Sequence, residues 1–114
     1  MADCIFCKIA NKEINSEIVY EDDKVISFKD LNPQAPVHVL IIPKEHFSST
    51  LEINDLNSEI VGNVFAAAVK IAKKLGIDKN GFRIVNNCGE DGGQTVGHMH
   101  FHMLGGRNLG WPPG

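Results

Sequence analysis

Three histidines at alternate positions near the end of the chain constrain its fold more than any other feature. His98, His100 and His102 are separated by single apolar residues. In a β-strand successive side chains point to opposite faces, so this spacing predicts a strand over 98–104 with the three imidazoles on one face. A helix would scatter the rings around its axis.

Three interpretations are consistent with such a row of imidazoles. It is the polar face of a half-buried strand, a metal site built from neutral ring nitrogens, or a catalytic centre in which one ring attacks an electrophile. Histidine is only a moderate strand former, which makes three in register unusual for a purely structural strand. The rest of the sequence has to discriminate between metal binding and catalysis.

Length and charge exclude several classes of protein. The 114 residues, 43% of them hydrophobic, are enough for one domain over 1–114 with a single core. The formal net charge is -3 and the basic residues are scattered, so we expect no nucleic-acid partner. No segment approaches the ~20 apolar residues of a membrane span, and Met1–Cys4 lacks the basic start of a signal peptide. We therefore expect a cytoplasmic protein with no membrane partner.

The order of the predicted elements favours an α+β domain. Amphipathic spacing predicts a long helix from Asn54 to Leu75, with Asn54 as its N-cap and Gly76 as its left-handed stop. Residues 4–10 form a short helix or knuckle. Four further strands are predicted over 18–20, 25–28, 37–42 and 82–86. Together with the histidine strand they give a five-stranded antiparallel sheet.

The cysteines favour metal binding over disulfides. Cys4 and Cys7 form a Cys-x-x-Cys pair near the N-terminus, whereas Cys88 lies far away in the sequence. An odd number with this spacing is a poor disulfide framework, and in a reducing compartment such a pair more often binds a metal or performs redox chemistry. No strand precedes the pair, which argues against a thioredoxin-like site.

A glycine-rich loop over 87–97 leads directly into the histidine segment. Its glycines let backbone N–H groups approach an anion, and Asn87, Gln94 and Thr95 add neutral donors. A mobile hairpin loop has the same composition. The position immediately before three histidines favours a phosphate site.

These motifs together resemble the histidine-triad (HIT) family. The segment His98-Met99-His100-Phe101-His102-Met103-Leu104 is similar to the family signature, and the similarity extends along the chain. The supporting segments are Asp30-Leu31-Asn32-Pro33-Gln34-Ala35-Pro36 with His38, Pro43-Lys44-Glu45-His46, Gly92-Gly93-Gln94-Thr95-Val96, Gly105-Gly106-Arg107 and Trp111-Pro112-Pro113-Gly114. The last two resemble the Hint branch, the purine nucleoside phosphoramidases, more than the dinucleoside-polyphosphate hydrolases.

The resemblance implies an enzyme that transfers a nucleotide to water. It would cleave purine nucleoside 5′-phosphoramidates, such as adenosine 5′-phosphoramidate, to a nucleoside monophosphate and an amine. His100 would be the nucleophile that carries the nucleotide, His102 would stabilise charge and protonate the amine, and His38 would be an additional active-site histidine. An imidazole with a pKa near ~6.5 is largely neutral at pH 7 and can attack without a separate base.

The resemblance also implies the substrate-binding residues and a homodimer. Asp30 and Leu31 would hold the ribose, and an apolar slot would hold the purine base. The slot residues are Phe6, Ile9, Ile14, Phe28 and Leu40. The donors to the phosphate would be Asn87, Gly93, Gln94 and Thr95.

A zinc-binding subtype of the family joins a Cys-x-x-Cys pair to two histidines. The matching positions here are Cys4, Cys7, His46 and His98. Two thiolates and two imidazoles form a closed tetrahedral set, which is typical of structural zinc. The resemblance thus implies a structural metal that leaves His100 free to react.

Three alternatives remain open at this point. The chain is a dinucleoside polyphosphate hydrolase, a purine-nucleotide-binding module with little turnover, or a small zinc protein whose three triad imidazoles bind a catalytic metal. The binding module would not need His100, and the zinc protein would need all three rings to converge on one ion.

Overall fold

Five antiparallel strands form one sheet in the computed structural model, which describes residues 4–114. The strands are β1 (Ile18–Glu21), β2 (Val25–Lys29), β3 (Val37–Pro43), β4 (Phe82–Asn86) and β5 (Phe101–Gly105). Their order across the sheet is β1-β2-β3-β5-β4, so β3 and β5 are neighbours near its centre. Residues 1–3, which belong to the predicted domain span and to the segment compared with signal peptides, lie outside the described residues.

Two α-helices accompany the sheet, which confirms the predicted α+β class with one long and one short helix. They are α1 (Ile5–Ala10) and α2 (Glu59–Leu75), and a 3-10 turn at Thr50–Glu52 lies between β3 and α2. None of the helices within residues 4–114 has the length and apolar character needed to cross a bilayer.

The two faces of the sheet pack against different helices because side chains alternate along each strand. On β3, Val39 and Ile41 belong to the core beneath α2, whereas Leu40 and Ile42 pack with α1 on the opposite face. The core beneath α2 also contains Met99, Phe101 and Met103, the apolar residues that alternate with the histidines. We call the face that carries His38, Leu40, Ile42 and His102 the site face.

The long helix begins later than the sequence predicts. Its first residue is Glu59, and Asn54 instead caps the turn before it, where its Oδ1 accepts from the N–H groups of Leu56 and Asn57 at 2.8 and 3.2 Å. The side chains of Asn54 and Asn57 satisfy this turn locally, so the chain does not need a helix there. Leu56 is consequently 97% exposed and lies outside the buried stripe. The predicted stop is confirmed, because Gly76 has a φ of 74°.

The histidine strand is also shorter than predicted, because β5 begins only at Phe101. The backbone just before it bonds to side chains and to a loop rather than to a neighbouring strand. His98 O accepts from the His100 ring, Met99 N donates to Phe47 O at 2.6 Å, and His100 O accepts from Asn86 Nδ2 at 2.9 Å. His98 and His100 therefore precede the ladder, and only His102 stands within it.

Two glycines with opposite surroundings provide a test of this packing. Gly106 follows β5 with a φ of 91°, and a Cβ added there would lie 2.9 Å from Cβ of Pro36, whereas a Cβ on Gly62 in α2 would meet nothing within 4 Å. We expect Gly106→Ala to lower the free energy of unfolding by about 1–3 kcal/mol. Gly62→Ala should raise it by about 0.5–1 kcal/mol, because alanine is the better helix former. Chemical denaturation measures both, and changes of the same sign would contradict the packing described.

Candidate active site and metal centre

The proton on the His100 ring is held by a backbone carbonyl. His100 Nδ1 lies 2.7 Å from His98 O, and since a carbonyl only accepts, Nδ1 carries the proton and donates it. The neutral ring therefore has its lone pair on Nε2. His100 lines a cavity of about 240 Å³. Every buried side-chain nitrogen in residues 4–114 has a hydrogen-bond partner. His100 Nε2 has no such partner, so it is not buried, and it opens into this cavity.

His102 and His38 form a hydrogen-bonded pair beside that ring. Gln34 N–H donates to His38 Nδ1 at 3.0 Å, which leaves the proton of neutral His38 on Nε2. That Nε2–H donates to His102 Nδ1 at 2.9 Å and also lies 3.3 Å from Asp30 Oδ2. Neutral His102 consequently carries its own proton on Nε2. The His100 and His102 ring centroids are 5.2 Å apart.

The pKa of His102 lies below its ordinary value. Burial is the largest cause, and the neighbouring rings of His100 and His38 lower it further. The carboxylate of Asp30, whose Oδ2 is 3.8 Å from His102 Nδ1, opposes this shift. His102 is therefore a neutral hydrogen-bond donor at neutral pH, with a counter-charge close by when it becomes protonated.

The cavity beside His100 is mostly apolar and contains most of the predicted slot. Phe6 and Ile9 come from α1, whereas Phe28 and Leu40 come from β2 and β3. Asp30, Leu31 and Thr95 also line it. Ile14 does not line it and is 38% exposed.

The loop before the triad is braced by its own hydrogen bonds. The N–H groups of Gly93 and Gln94 donate to Glu90 O and Gly89 O, both at 3.0 Å. The Gln94 carboxamide bonds to Gly89 N, Ser48 O and Val96 O. These groups are thus occupied in holding the loop, and Asn87, Gly93 and Gln94 do not line the cavity. Of the four predicted phosphate donors, Thr95 alone lies at the cavity wall.

Four side chains converge beside the histidine segment as a candidate metal site. The ligand atoms of Cys4, Cys7, His46 and His98 all lie within 4.8 Å of one another. His98 Nδ1 is 3.4 Å from Cys4 Sγ, 3.5 Å from Cys7 Sγ and 3.1 Å from His46 Nδ1. His98 Nε2–H donates to Pro43 O at 2.9 Å, which leaves the lone pair on Nδ1, facing the two sulfurs.

Burial disfavours the charged forms of the side chains in this cluster, which favours a bound metal over free ions. Burial lowers the pKa of His98, and His46 and His100 lower it further, against the hydrogen bond to Pro43. Burial likewise raises the pKa of the Cys7 thiol, and Cys4 adds to that shift. Buried thiolates are costly unless a cation compensates them, so the cluster is more favourable with a metal bound.

A second group, Asp30, His38 and His102, has ligand atoms that are equally close together. Its hydrogen bonds argue against a metal there. A metal on His38 Nε2 would require the ring proton on Nδ1, where the Gln34 N–H already points. The three triad rings thus have three different partners, and within residues 4–114 they do not converge on one ion. This geometry argues against the alternative of a catalytic triad-bound metal.

Sequence reasoning missed the groups that hold the site in place. Asn86 fixes the backbone of His100, and the carbonyls of Pro43 and His98 fix two ring protons. Ile5, Ser16, Lys29 and Val96 line the cavity without having been predicted. Carbonyl groups leave no signal in a sequence, whereas an asparagine at the end of an edge strand is a polar residue that could have been found. Cys88 makes no side-chain hydrogen bond among the described residues and stays unassigned.

Comparison with known proteins decides the family. The family model for the HIT domain matches residues 11–109. This chain belongs to the HIT family. Among curated HIT relatives, the 14 kDa zinc-binding protein of Brassica juncea is 47% identical, and the alignment covers 98% of this chain and all of the relative.

Solved structures of the HIT family match the whole fold. A histidine triad protein from Clostridium difficile is 54% identical with a TM-score of 0.95, and the match covers 96% of each chain. A HIT family hydrolase from Legionella pneumophila is 46% identical, also with a TM-score of 0.95, and the match covers 98% of this chain and all of that one. The predicted HIT-like fold is therefore confirmed.

Proposed function

We propose that this HIT protein hydrolyses purine nucleoside 5′-phosphoramidates through a nucleotide covalently attached to His100. The observation that carries the proposal is the lone pair of His100 Nε2, which opens into a cavity that is lined by apolar side chains and by Asp30. The Legionella pneumophila relative is named a hydrolase, which agrees with a reaction that consumes water.

The proposed reaction has two steps that exchange one proton. His102 first takes up a proton from solvent on Nδ1 and becomes a cation. His100 Nε2 attacks the α-phosphorus, the nitrogen–phosphorus bond to the amine breaks, and the amine takes the Nε2 proton of this cation, which leaves His102 neutral. Water then attacks the same phosphorus and returns a proton to His102, while the bond to His100 Nε2 breaks and releases the monophosphate. Because His38 Nε2–H also reaches Asp30 Oδ2, it can turn from His102 Nδ1 and allow that nitrogen to hold a proton.

Charge on the phosphoryl oxygens requires donors that are already in place. Neutral His102 offers its Nε2–H beside the nucleophile, and Thr95 offers a hydroxyl at the cavity wall. Asp30 accepts one hydrogen bond from Asn32 N at 2.8 Å and, as a carboxylate, has further lone pairs for ribose hydroxyls. The apolar wall of Phe6, Phe28 and Leu40 provides flat contacts for a purine base.

We further propose zinc as the metal of the Cys4, Cys7, His46 and His98 cluster. Zinc bonds of about 2.3 Å to sulfur and 2.0–2.1 Å to nitrogen place each tetrahedral nitrogen ligand roughly 3.3–3.6 Å from the other nitrogen and from each sulfur. The nitrogen–nitrogen distance of 3.1 Å and three of the four sulfur–nitrogen distances, at 3.3–3.5 Å, lie close to this spacing. With four protein ligands no position is left for water, so the metal supplies a structural cross-link between α1 and the triad segment.

We also propose that the protein forms a homodimer and is located in the cytoplasm. β4 lies at the edge of the sheet, where its outer backbone groups have no partner strand among residues 4–114. Phe82 on this strand and Phe65 and Val69 on α2 are exposed apolar side chains, which suits contact with a second copy. Three unpaired cysteines agree with a reducing compartment.

Replacing the nucleophile tests the reaction. We expect His100→Gln to lower the rate of AMP release from adenosine 5′-phosphoramidate by more than about 1,000-fold, because no other ring nitrogen in the described part of the chain faces the cavity with a lone pair. Rapid quench of the wild-type protein in alkaline denaturant during turnover, which preserves the acid-labile nitrogen–phosphorus bond, should trap an adenylated peptide that contains His100. Unchanged zinc content and thermal unfolding would show that the variant is folded. Undiminished AMP release would contradict the proposal, and AMP binding without any turnover by the wild type would favour a binding module.

Cysteine variants test the metal. We expect Cys7→Ser to lose the single zinc per chain and to unfold at a temperature lower by more than about 5 °C, because the cross-link to α1 is lost. Cys88→Ser is the matched control, since that thiol lies outside the cluster, and it should retain zinc. Elemental analysis and thermal scans measure both effects. Equal zinc contents in the two variants would contradict the assignment.

A further inference from the structure

The short helix α1 belongs to both the metal cluster and the base cavity. Its N-cap Cys4 and its residue Cys7 are three positions apart and point to the metal cluster. Phe6 and Ile9, also three apart, point to the cavity. Residues three apart share one face of a helix, so a single turn presents ligands on one side and cavity wall on the other.

The Phe6 ring lies between the two sites. Its centroid is 6.1 Å from the His98 ring, which is a ligand of the cluster, and 5.2 Å from the His100 ring. Its third aromatic neighbour is Phe28, at 5.4 Å across the cavity wall. All three contacts are edge-to-face, and Phe6 is 7% exposed. A shift of α1 would therefore change the wall of the cavity at the nucleophile.

α1 cannot hold its position by itself. It has six residues, far below the roughly 12–15 at which an isolated helix is even marginally stable in water. The segment that follows it is tied to the sheet by two exposed ion pairs, Lys12 with Glu21 and Lys29 with Glu17, which contribute little, and by the Lys29 N–H bond to Glu17 O. Among residues 4–114, α1 itself is held by its packing on the site face and by the four-ligand cluster.

We propose that metal binding and nucleotide binding are thermodynamically coupled through α1, with Phe6 as the positioning residue that transmits the coupling. The metal orders α1, α1 places Phe6, and Phe6 completes the wall against which the base packs. Thermodynamic linkage then requires a reciprocal effect of equal size, so that bound nucleotide increases the affinity of the cluster for the metal by the same factor. The inference rests on the proposed function, because it needs a nucleotide in this cavity.

Two affinities measured on the whole protein test the coupling. We expect the dissociation constant of AMP, from calorimetry, to rise about tenfold when zinc is removed. The dissociation constant of zinc, from competition with a chelator, should fall by the same factor, about tenfold, when AMP is saturating. An AMP affinity that is the same within about twofold with and without zinc would overturn the coupling. Failure of AMP to bind the zinc-loaded protein would instead overturn the proposed function itself.

Paired variants make the test independent of whether the zinc-free chain stays folded. Phe6→Ala removes the positioning ring, whereas Leu40→Val alters the same cavity from β3 rather than from α1. At equal AMP saturation, we expect the AMP effect on zinc affinity to disappear in Phe6→Ala and to persist in Leu40→Val. An effect that survives unchanged in Phe6→Ala would overturn the inference, since coupling through general stability would not depend on this ring.

Discussion

The hydrogen bonds of His98 are the constraint on which both sites depend. Its ring donates from Nε2 to Pro43 O and thereby turns a lone pair on Nδ1 toward the two cysteines. Its carbonyl accepts the proton of His100 Nδ1 and thereby leaves the lone pair of His100, the proposed nucleophile, on Nε2. One residue thus orients a proposed metal ligand with its side chain and fixes the tautomer of the proposed nucleophile with its backbone. Because the ring is fully buried, water cannot substitute for either bond.

The antiparallel sheet brings these groups together while keeping the core separate from them. β3 and β5 are adjacent, with Leu40 opposite His102 and His38 opposite Leu104, so His38 and His102 meet on the site face. The alternate residues of the same strands pack under α2. The core beneath α2 therefore contains most of the buried apolar side chains, and the site face can carry polar rings because every buried ring nitrogen among residues 4–114 has a hydrogen-bond partner.

Much of this arrangement is visible in the sequence, and the remainder depends on tertiary contacts. Alternation predicts that Met99, Phe101 and Met103 enter the core, and the Cys4–Cys7 spacing predicts a metal pair, because both follow from local periodicity. The sequence predicts the starts of α2 and β5 too early, because the side chains of Asn54 and Asn86 replace regular backbone hydrogen bonds there. The glycine loop looks like an anion site by composition. Only the fold shows that the N–H groups of Gly93 and Gln94 form hydrogen bonds within the loop itself.

The central claim is that the folded chain presents an unprotonated Nε2 at His100. Nitrogen-15 NMR of the histidine rings at neutral pH measures this directly, because long-range couplings distinguish the two tautomers, and the His100→Gln variant assigns the signal. We predict a His100 ring with its proton on Nδ1 and its lone pair on Nε2. A ring protonated on Nε2 would contradict the claim, since the nitrogen that faces the cavity would then have no electron pair with which to attack phosphorus.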